Sequence, residues 1–147
     1  MKFYNVTIEM LISGKTNDLW EMLALNFGHI ARYSKDLKSS EYRSEHTTGI
    51  GTKRYCVMSN NGFMEEEVTQ WKELESFGFQ ITNSSLPLKK GCSLLFTFHP
   101  INEEKISIVV EGKYRLKKLG FLSPLLYPKM KQLIHNYLND IQKAIIK

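Results

Sequence analysis

A chain of 147 residues that is 42% apolar and 24% charged is long enough to bury a core, and it belongs with folded soluble proteins rather than disordered ones. The net charge of +5 is too modest to imply a nucleic-acid partner, and no basic stripe with interleaved aromatics or recognised motif points to one. No apolar run reaches membrane-spanning length, and the alternating N-terminus does not read as a signal peptide, so one cytoplasmic domain over residues 1–147 is expected. Cys56 and Cys92, the two cysteines, lack metal-type or CxxC spacing. Reduced thiols are expected, with a structural disulfide as the alternative.

Met1 to Ile12 alternates in part, through Phe3, Val6, Ile8, Met10 and Ile12, as a half-buried strand does. Ser13 and Gly14 break it. Thr16 reads as the cap of a short amphipathic helix carrying Leu19, Trp20, Leu23 and Phe27, with Asp18 at the positive end of its dipole. Gly28 to Leu37 reads as a second short helix with Ile30, Tyr33 and Leu37 facing inward.

The period then changes to two. Strands are expected near Lys38–His46, Thr52–Ser59, Phe63–Lys72, Phe77–Asn83, Cys92–His99 and Lys105–Lys117. Gly49-Ile50-Gly51 and Asn60-Asn61-Gly62 separate the first three, and Asn-Gly between extended runs is a strong hairpin signal. Short connections favour an antiparallel meander. From Pro128 to Lys147, Met130, Leu133, Ile134, Tyr137, Leu138, Ile141, Ala144 and Ile145 recur at spacings of three and four on one side of a helix. Such a helix is about 30 Å long, and its apolar stripe needs a broad partner surface. A helix laid across a curved sheet meets that need, and the pairing either fills its interior or leaves a cavity.

The order of strand, two short helices, six strands and a long helix resembles the helix-grip fold of the START-like (SRPBCC) superfamily, and in detail its polyketide cyclase/dehydrase branch of small bacterial proteins. Leu19-Trp20 with Leu23 looks like the first-helix signature, and Gly49-Ile50-Gly51-Thr52-Lys53-Arg54 is similar to a Gly-x-Gly-x-x-Arg at the start of the third strand. Gly62 to Trp71 looks like the next strand, with a glutamate before Val68, and Ser85-Leu86-Pro87-Leu88 is similar to a Leu-Pro turn before the sixth. Where relatives of that branch often carry Trp-His-Pro, this chain has Tyr33-Ser34-Lys35. The resemblance implies an α+β fold: a seven-stranded curved antiparallel sheet wrapped around a long C-terminal helix, with two short helices after the first strand. It also implies a small hydrophobic or lipid-like ligand between sheet and helix.

No catalytic motif stands out, and His29, His46, His99 and His135 share no ligand-like spacing, so neither metal nor cofactor is expected. Strand parity puts Glu66 on a face with Met64 and Val68. If that face turns toward the helix, the carboxylate is desolvated, its pKa is raised, and it could act as a general base or hold a ligand hydroxyl or amine. In the opposite register Glu65, Glu66 and Glu67 all stand at the solvent rim. Arg54, on the face of Cys56 and Met58, is either the partner of Glu66 or a rim residue.

In the last strand Ile106, Ile108, Val110, Gly112, Tyr114 and Leu116 share the face expected to meet the helix. Gly112 would leave room beside Tyr114 for a ligand or for the helix backbone. Phe77, Phe79, Ile81, Phe96 and Phe98 would form aromatic walls, though such stripes serve equally as plain core. The ligand-lining set on this reading is Arg54, Met64, Glu66, Val68, Phe79 and Phe96, joined by Phe98, Val110, Tyr114, Leu133 and Tyr137.

The connector Phe121, Leu122, Leu125, Leu126 and Tyr127 lies between Lys117, Lys118, Lys129 and Lys131. It is expected to tuck under the helix as a lid or staple; the alternative is transient contact with an anionic membrane. Three functions remain open: binding or transport of a small hydrophobic molecule, a cofactor-independent cyclase or dehydratase with Glu66 as acid or base, or a filled-core interaction module.

Overall fold

The computed structural model describes residues 2–146. Met1 and Lys147, expected at the ends of the first strand and the last helix, lie outside the described residues. Seven strands form one sheet: β1 (Tyr4–Ser13), β2 (Leu37–Tyr42), β3 (Lys53–Met58), β4 (Phe63–Lys72), β5 (Ser76–Ser84), β6 (Ser93–Pro100) and β7 (Lys105–Tyr114). Their spatial order is β1-β7-β6-β5-β4-β3-β2, and every neighbouring pair is antiparallel. The meander from β2 to β7 follows from the short turns, and β1 closes the far side by pairing with β7 from Tyr4 opposite Tyr114 to Ser13 opposite Lys105. Between β3 and β4, the Asn61 amide donates to the Met58 carbonyl at 2.8 Å and the Met58 amide to the Gly62 carbonyl at 2.7 Å, closing a three-residue hairpin loop in which Asn61 takes the left-handed position at φ 71°.

Helix α1 (Thr16–Trp20) runs into a π-helical turn over Glu21–Leu25 and then a 3-10 segment over Phe27–Arg32. Thr16 is not the cap. Lys15 holds that position, with no side-chain hydrogen bond, and Thr16 is the first helical residue. The second helical stretch also ends earlier than expected, because Leu37 already begins β2. Gly28 sits against the ring of Tyr42, where an added Cβ would lie 2.5 Å from the ring carbons; only glycine lets this segment approach the sheet so closely. A further 3-10 segment, Gly120–Leu126, contains Ser123 and Pro124 and leads into α2 (Tyr127–Ile145), with Pro128 in its first turn, the position that tolerates a missing N–H.

Helix α2 buries Ile134, Leu138 and Ile141 against the sheet. Its C-terminal end is fixed to β1 by a reciprocal pair: the Ser13 amide donates to Gln142 Oε1 at 2.8 Å, and Gln142 Nε2 donates to the Ser13 carbonyl at 3.0 Å.

One irregularity changes the parity read from the sequence. The register of β4 against β5 shifts between Val68 and Gln70, so that Val68 faces Phe79 and Trp71 faces Phe77. Strict alternation puts Trp71 on the face opposite Val68; the bulge returns it to the inner face. There its ring meets Trp20 of α1 edge-on, with centroids 5.0 Å apart. Trp20 also packs edge-on against Phe77 at 6.0 Å and Phe98 at 5.8 Å. One end of the concave face is thereby filled with aromatic rings.

Candidate functional site

The other end of the concave face is not filled. Between β3, β4, β5 and β6 and the first half of α2 lies a partly open cavity of about 170 Å³. Its sheet wall comes from alternate residues, Arg54 with Cys56, Met64 with Glu66, and Phe79 with Ile81, as the two-residue period requires. Met130, Leu133, Ile134 and Tyr137 close it from the helix, spaced so that all lie on one side of α2. The exposed lining residues Asp36, Lys113 and Leu133 mark its opening. Ser34, of the Tyr33-Ser34-Lys35 segment, also lines it.

Arg54 and Glu66 form the polar part of this wall. They face each other across the β3 and β4 ladder, Arg54 Nε donates to Glu66 Oε1 at 2.8 Å, and the two residues are 3% and 5% exposed. Arg54 Nη1 donates to the Phe27 carbonyl at 3.0 Å. Its guanidinium carbon lies 3.9 Å from the Phe27 ring centre and 4.6 Å from that of Phe79. The early 3-10 segment therefore positions the arginine twice, through a carbonyl and through a ring face. Burial opposes the arginine charge, but neighbouring Glu66 outweighs it and holds the guanidinium firmly protonated.

The Tyr137 hydroxyl is buried in the same region and has no hydrogen-bond partner. Burial pushes its pKa up to about 12, although the nearby Arg54 charge pulls the other way. Burial likewise pushes the Cys56 thiol up to about 11 against the pull of Arg54, so Cys56 lines the cavity in its neutral form. Both cysteines are free and buried.

Of the residues expected to line the site, Arg54, Met64, Glu66, Phe79, Phe96, Leu133 and Tyr137 are brought together around the cavity. Val68, Phe98, Val110 and Tyr114 are buried but do not line it. Phe98 belongs to the Trp20 cluster. Val110 packs in the core opposite Ile8 and Phe96, and Val68 pairs with Phe79. Tyr114 sits at the β1 edge beside Tyr4, with ring centres 6.3 Å apart, and not in the cavity. The room expected beside it at Gly112 is taken: a Cβ there would lie 2.8 Å from Val6 Cγ1 and 3.1 Å from Leu94 Cδ2. Ile81, expected in the aromatic wall, lines the cavity, and so do Cys56, Met130 and Ile134, which were outside the expected lining set. The signal was available, since each lies on the strand face or helix side of a residue within that set.

The connector does not tuck away. Phe121 is 67% and Leu125 76% exposed, and only Ser123 of that segment is buried. Its hydroxyl accepts from the Leu116 amide at 2.9 Å and donates to the Gly120 carbonyl, which holds the turn in a form that leaves Phe121 and Leu125 outside while Leu126 packs against the core. Among the described residues no group of His, Cys, Asp or Glu could hold a metal ion. No helix among them is long and apolar enough to cross a membrane.

A curved antiparallel sheet gripping a C-terminal helix over a cavity is the START-like helix-grip fold, and solved structures share it along nearly the whole chain. A START superfamily protein from Mycobacterium smegmatis superposes with a TM-score of 0.78 at 8% identity, covering 98% of this chain and 97% of that one. Ara h 8.0201 gives 0.82 at 11% identity, covering 99% of each chain. Norcoclaurine synthase from Thalictrum flavum, in complex with dopamine and hydroxybenzaldehyde, gives 0.74 at 12% identity, covering 99% of this chain and 87% of that one. Likeness at such low identity establishes the fold. No family model and no curated protein matches the sequence.

Two outcomes are expected from the polar wall. Replacing one partner of a buried ion pair strands the other, so Arg54→Met or Glu66→Leu alone should cost about 3–5 kcal/mol in urea unfolding, while the joint replacement costs less than either. For Tyr137, the unfolded hydroxyl titrates near 10.0 and the folded one near 12. The folded state keeps a proton that the unfolded state loses, so this contribution is fully present below the lower value and is lost as pH rises toward the upper one. Unfolding curves of Tyr137→Phe should fall less steeply than wild type across that interval.

Proposed function

We propose that the protein binds a small, mostly apolar molecule in the cavity between its sheet and α2. The observation that carries this is the cavity itself: apolar over most of its surface, open at one side, with its few buried polar groups gathered on one wall. Removal of apolar ligand surface from water, at about 25 cal/mol per Å², supplies the affinity, and the polar wall supplies orientation. Its size limits the ligand. An apolar cavity of about 150 Å³ accommodates benzene, so 170 Å³ suits a one-ring molecule, and a lipid chain would require α2 to move away from the sheet. The complex of norcoclaurine synthase with two single-ring compounds in the same fold is consistent with that scale.

The cyclase/dehydratase reading asks for an unengaged acid or base. Glu66 is held at 2.8 Å by Arg54, which favours binding over catalysis. The presence of a cavity weighs against a filled-core interaction module. The whole chain is read as one ligand-binding domain.

The test is an NMR titration of the protein with toluene. We expect saturable shifts confined to residues around the cavity, such as Ile81, Phe96 and Ile134, and we expect them to vanish in Leu133→Trp, which fills the opening without reaching the core. Shifts that persist unchanged in that variant would sink the assignment.

A second reading concerns how the ligand arrives. Leu119, Phe121 and Leu125 are exposed, exposed Lys117, Lys118, Lys129 and Lys131 flank them in sequence, and the segment leads directly into the helix that lines the cavity. Apolar residues flanked by lysines fit transient contact with an anionic bilayer. Co-sedimentation with vesicles containing phosphatidylserine should weaken with salt and with Phe121→Ser/Leu125→Ser; sedimentation indifferent to both would remove this reading.

A further inference from the structure

The cavity has one polar wall, and that wall has hydrogen-bonding capacity left over. Arg54 uses Nε on Glu66 and Nη1 on Phe27; among the described residues nothing accepts from its Nη2. Glu66 accepts through Oε1, and no donor among the described residues reaches its Oε2. The Tyr137 hydroxyl, across from them on α2, is buried, which raises its pKa; Arg54 lies close enough to pull that pKa down by charge and hydrogen bonding, yet no hydrogen bond of good geometry is formed. All three residues line the cavity. An unpartnered buried hydroxyl carries a penalty that a properly placed ligand group removes, and this one lies beside a donor and an acceptor that are also incompletely used.

Which ligand group fits is decided by charge and by hydrogen-bond count. Arg54 and Glu66 neutralise each other, so a carboxylate or an ammonium brought into this apolar space would add an uncompensated charge, at a high desolvation cost. A hydrocarbon leaves all three groups as they are. A carbonyl can accept but cannot use the carboxylate oxygen. A hydroxyl does both: it donates to a carboxylate oxygen while accepting from an arginine N–H or a tyrosine O–H. From the unpartnered Tyr137 hydroxyl beside the incompletely used Arg54 and Glu66 pair, we infer that the ligand is a neutral one-ring alcohol or phenol, with its hydroxyl placed among these three side chains and its ring against Phe79 and Phe96. This deepens the ligand-binding reading and rests on it.

Phenol and toluene provide the test, since a hydroxyl replaces a methyl group of similar size. Water holds phenol more strongly than toluene, so an undifferentiated apolar cavity must prefer toluene. NMR titrations of the wild-type protein are expected to show phenol binding at least as tightly as toluene, with benzoate failing to compete. In Tyr137→Phe the preference for phenol over toluene should fall by about tenfold, the loss expected for one buried hydrogen bond. Because the preference is a ratio within one protein, general destabilisation by the substitution cancels from it. If toluene binds and is preferred over phenol to the same degree in wild type and variant, the hydroxyl assignment is wrong while the cavity reading stands. Benzoate binding as tightly as phenol overturns the requirement for neutrality. If neither toluene nor phenol binds, the ligand-binding reading fails and this inference with it.

Discussion

A single helix has to cover the concave face of a seven-stranded sheet, and α2 does so by fully burying Ile134, Leu138 and Ile141 and packing Met130, Tyr137, Ala144 and Ile145 against the core. The sheet is wider than the strip that a helix can touch, so something else must occupy the remaining space or it stays empty. This protein does both. At one end the short α1 inserts Trp20, and the β4 bulge turns Trp71 to meet it, with Phe77 and Phe98 completing the cluster. At the other end Tyr137 of α2 packs against Phe96 without filling the space, and the cavity remains. Interiors are normally close-packed because voids forfeit dispersion contacts; an opening bounded by Phe79, Ile81, Phe96 and Met64 is a departure that a ligand can relieve.

The ion pair in the wall of that opening also departs from the rule for cores. Two charges removed from water are rarely more stabilising than a well-packed apolar pair. Here the charges are tightly specified instead: Arg54 is fixed by Glu66, by the Phe27 carbonyl and between two aromatic rings. The helical segment after β1 is thus tied to the sheet at one point, and that point is part of the cavity wall. Loss of either partner would loosen the local fold and remove the polar face together, so stability and recognition are coupled at the same residues.

The exposed apolar turn before α2 belongs to the same logic at a larger scale. Ser123 satisfies the turn from within, and this leaves Phe121 and Leu125 outside, where they contribute nothing to the core. They are joined through the chain to the helix whose first half lines the opening. A contact made at the turn would therefore act on the element that bounds the ligand space.

Much of this was legible in the chain. The two-residue period, the Asn-Gly turn and the stripe of α2 determined the strands, their antiparallel order and the helix that lies over them, because each is a local pattern repeated over many residues. The same parity put Glu66 with Met64 on one face of β4 and Arg54 with Cys56 on one face of β3, and left open whether those faces meet. Parity fails where a bulge intervenes, as at Trp71, which the β4 bulge returns to the inner face; it fails also to say how far along the sheet the helix reaches. Val68, Phe98, Val110 and Tyr114 share the inner face with the cavity residues, and only tertiary packing decided that they lie under α1, beside β1 or in the closed core instead. Which inner-face positions become cavity depends on where bulky side chains from distant segments meet, such as Val6 and Leu94 over Gly112. The sequence by itself determined which side chains share a face, since that follows from local geometry; the tertiary structure alone decided which face turns inward and which of its side chains are left facing empty space, since that depends on volumes contributed from every part of the chain at once.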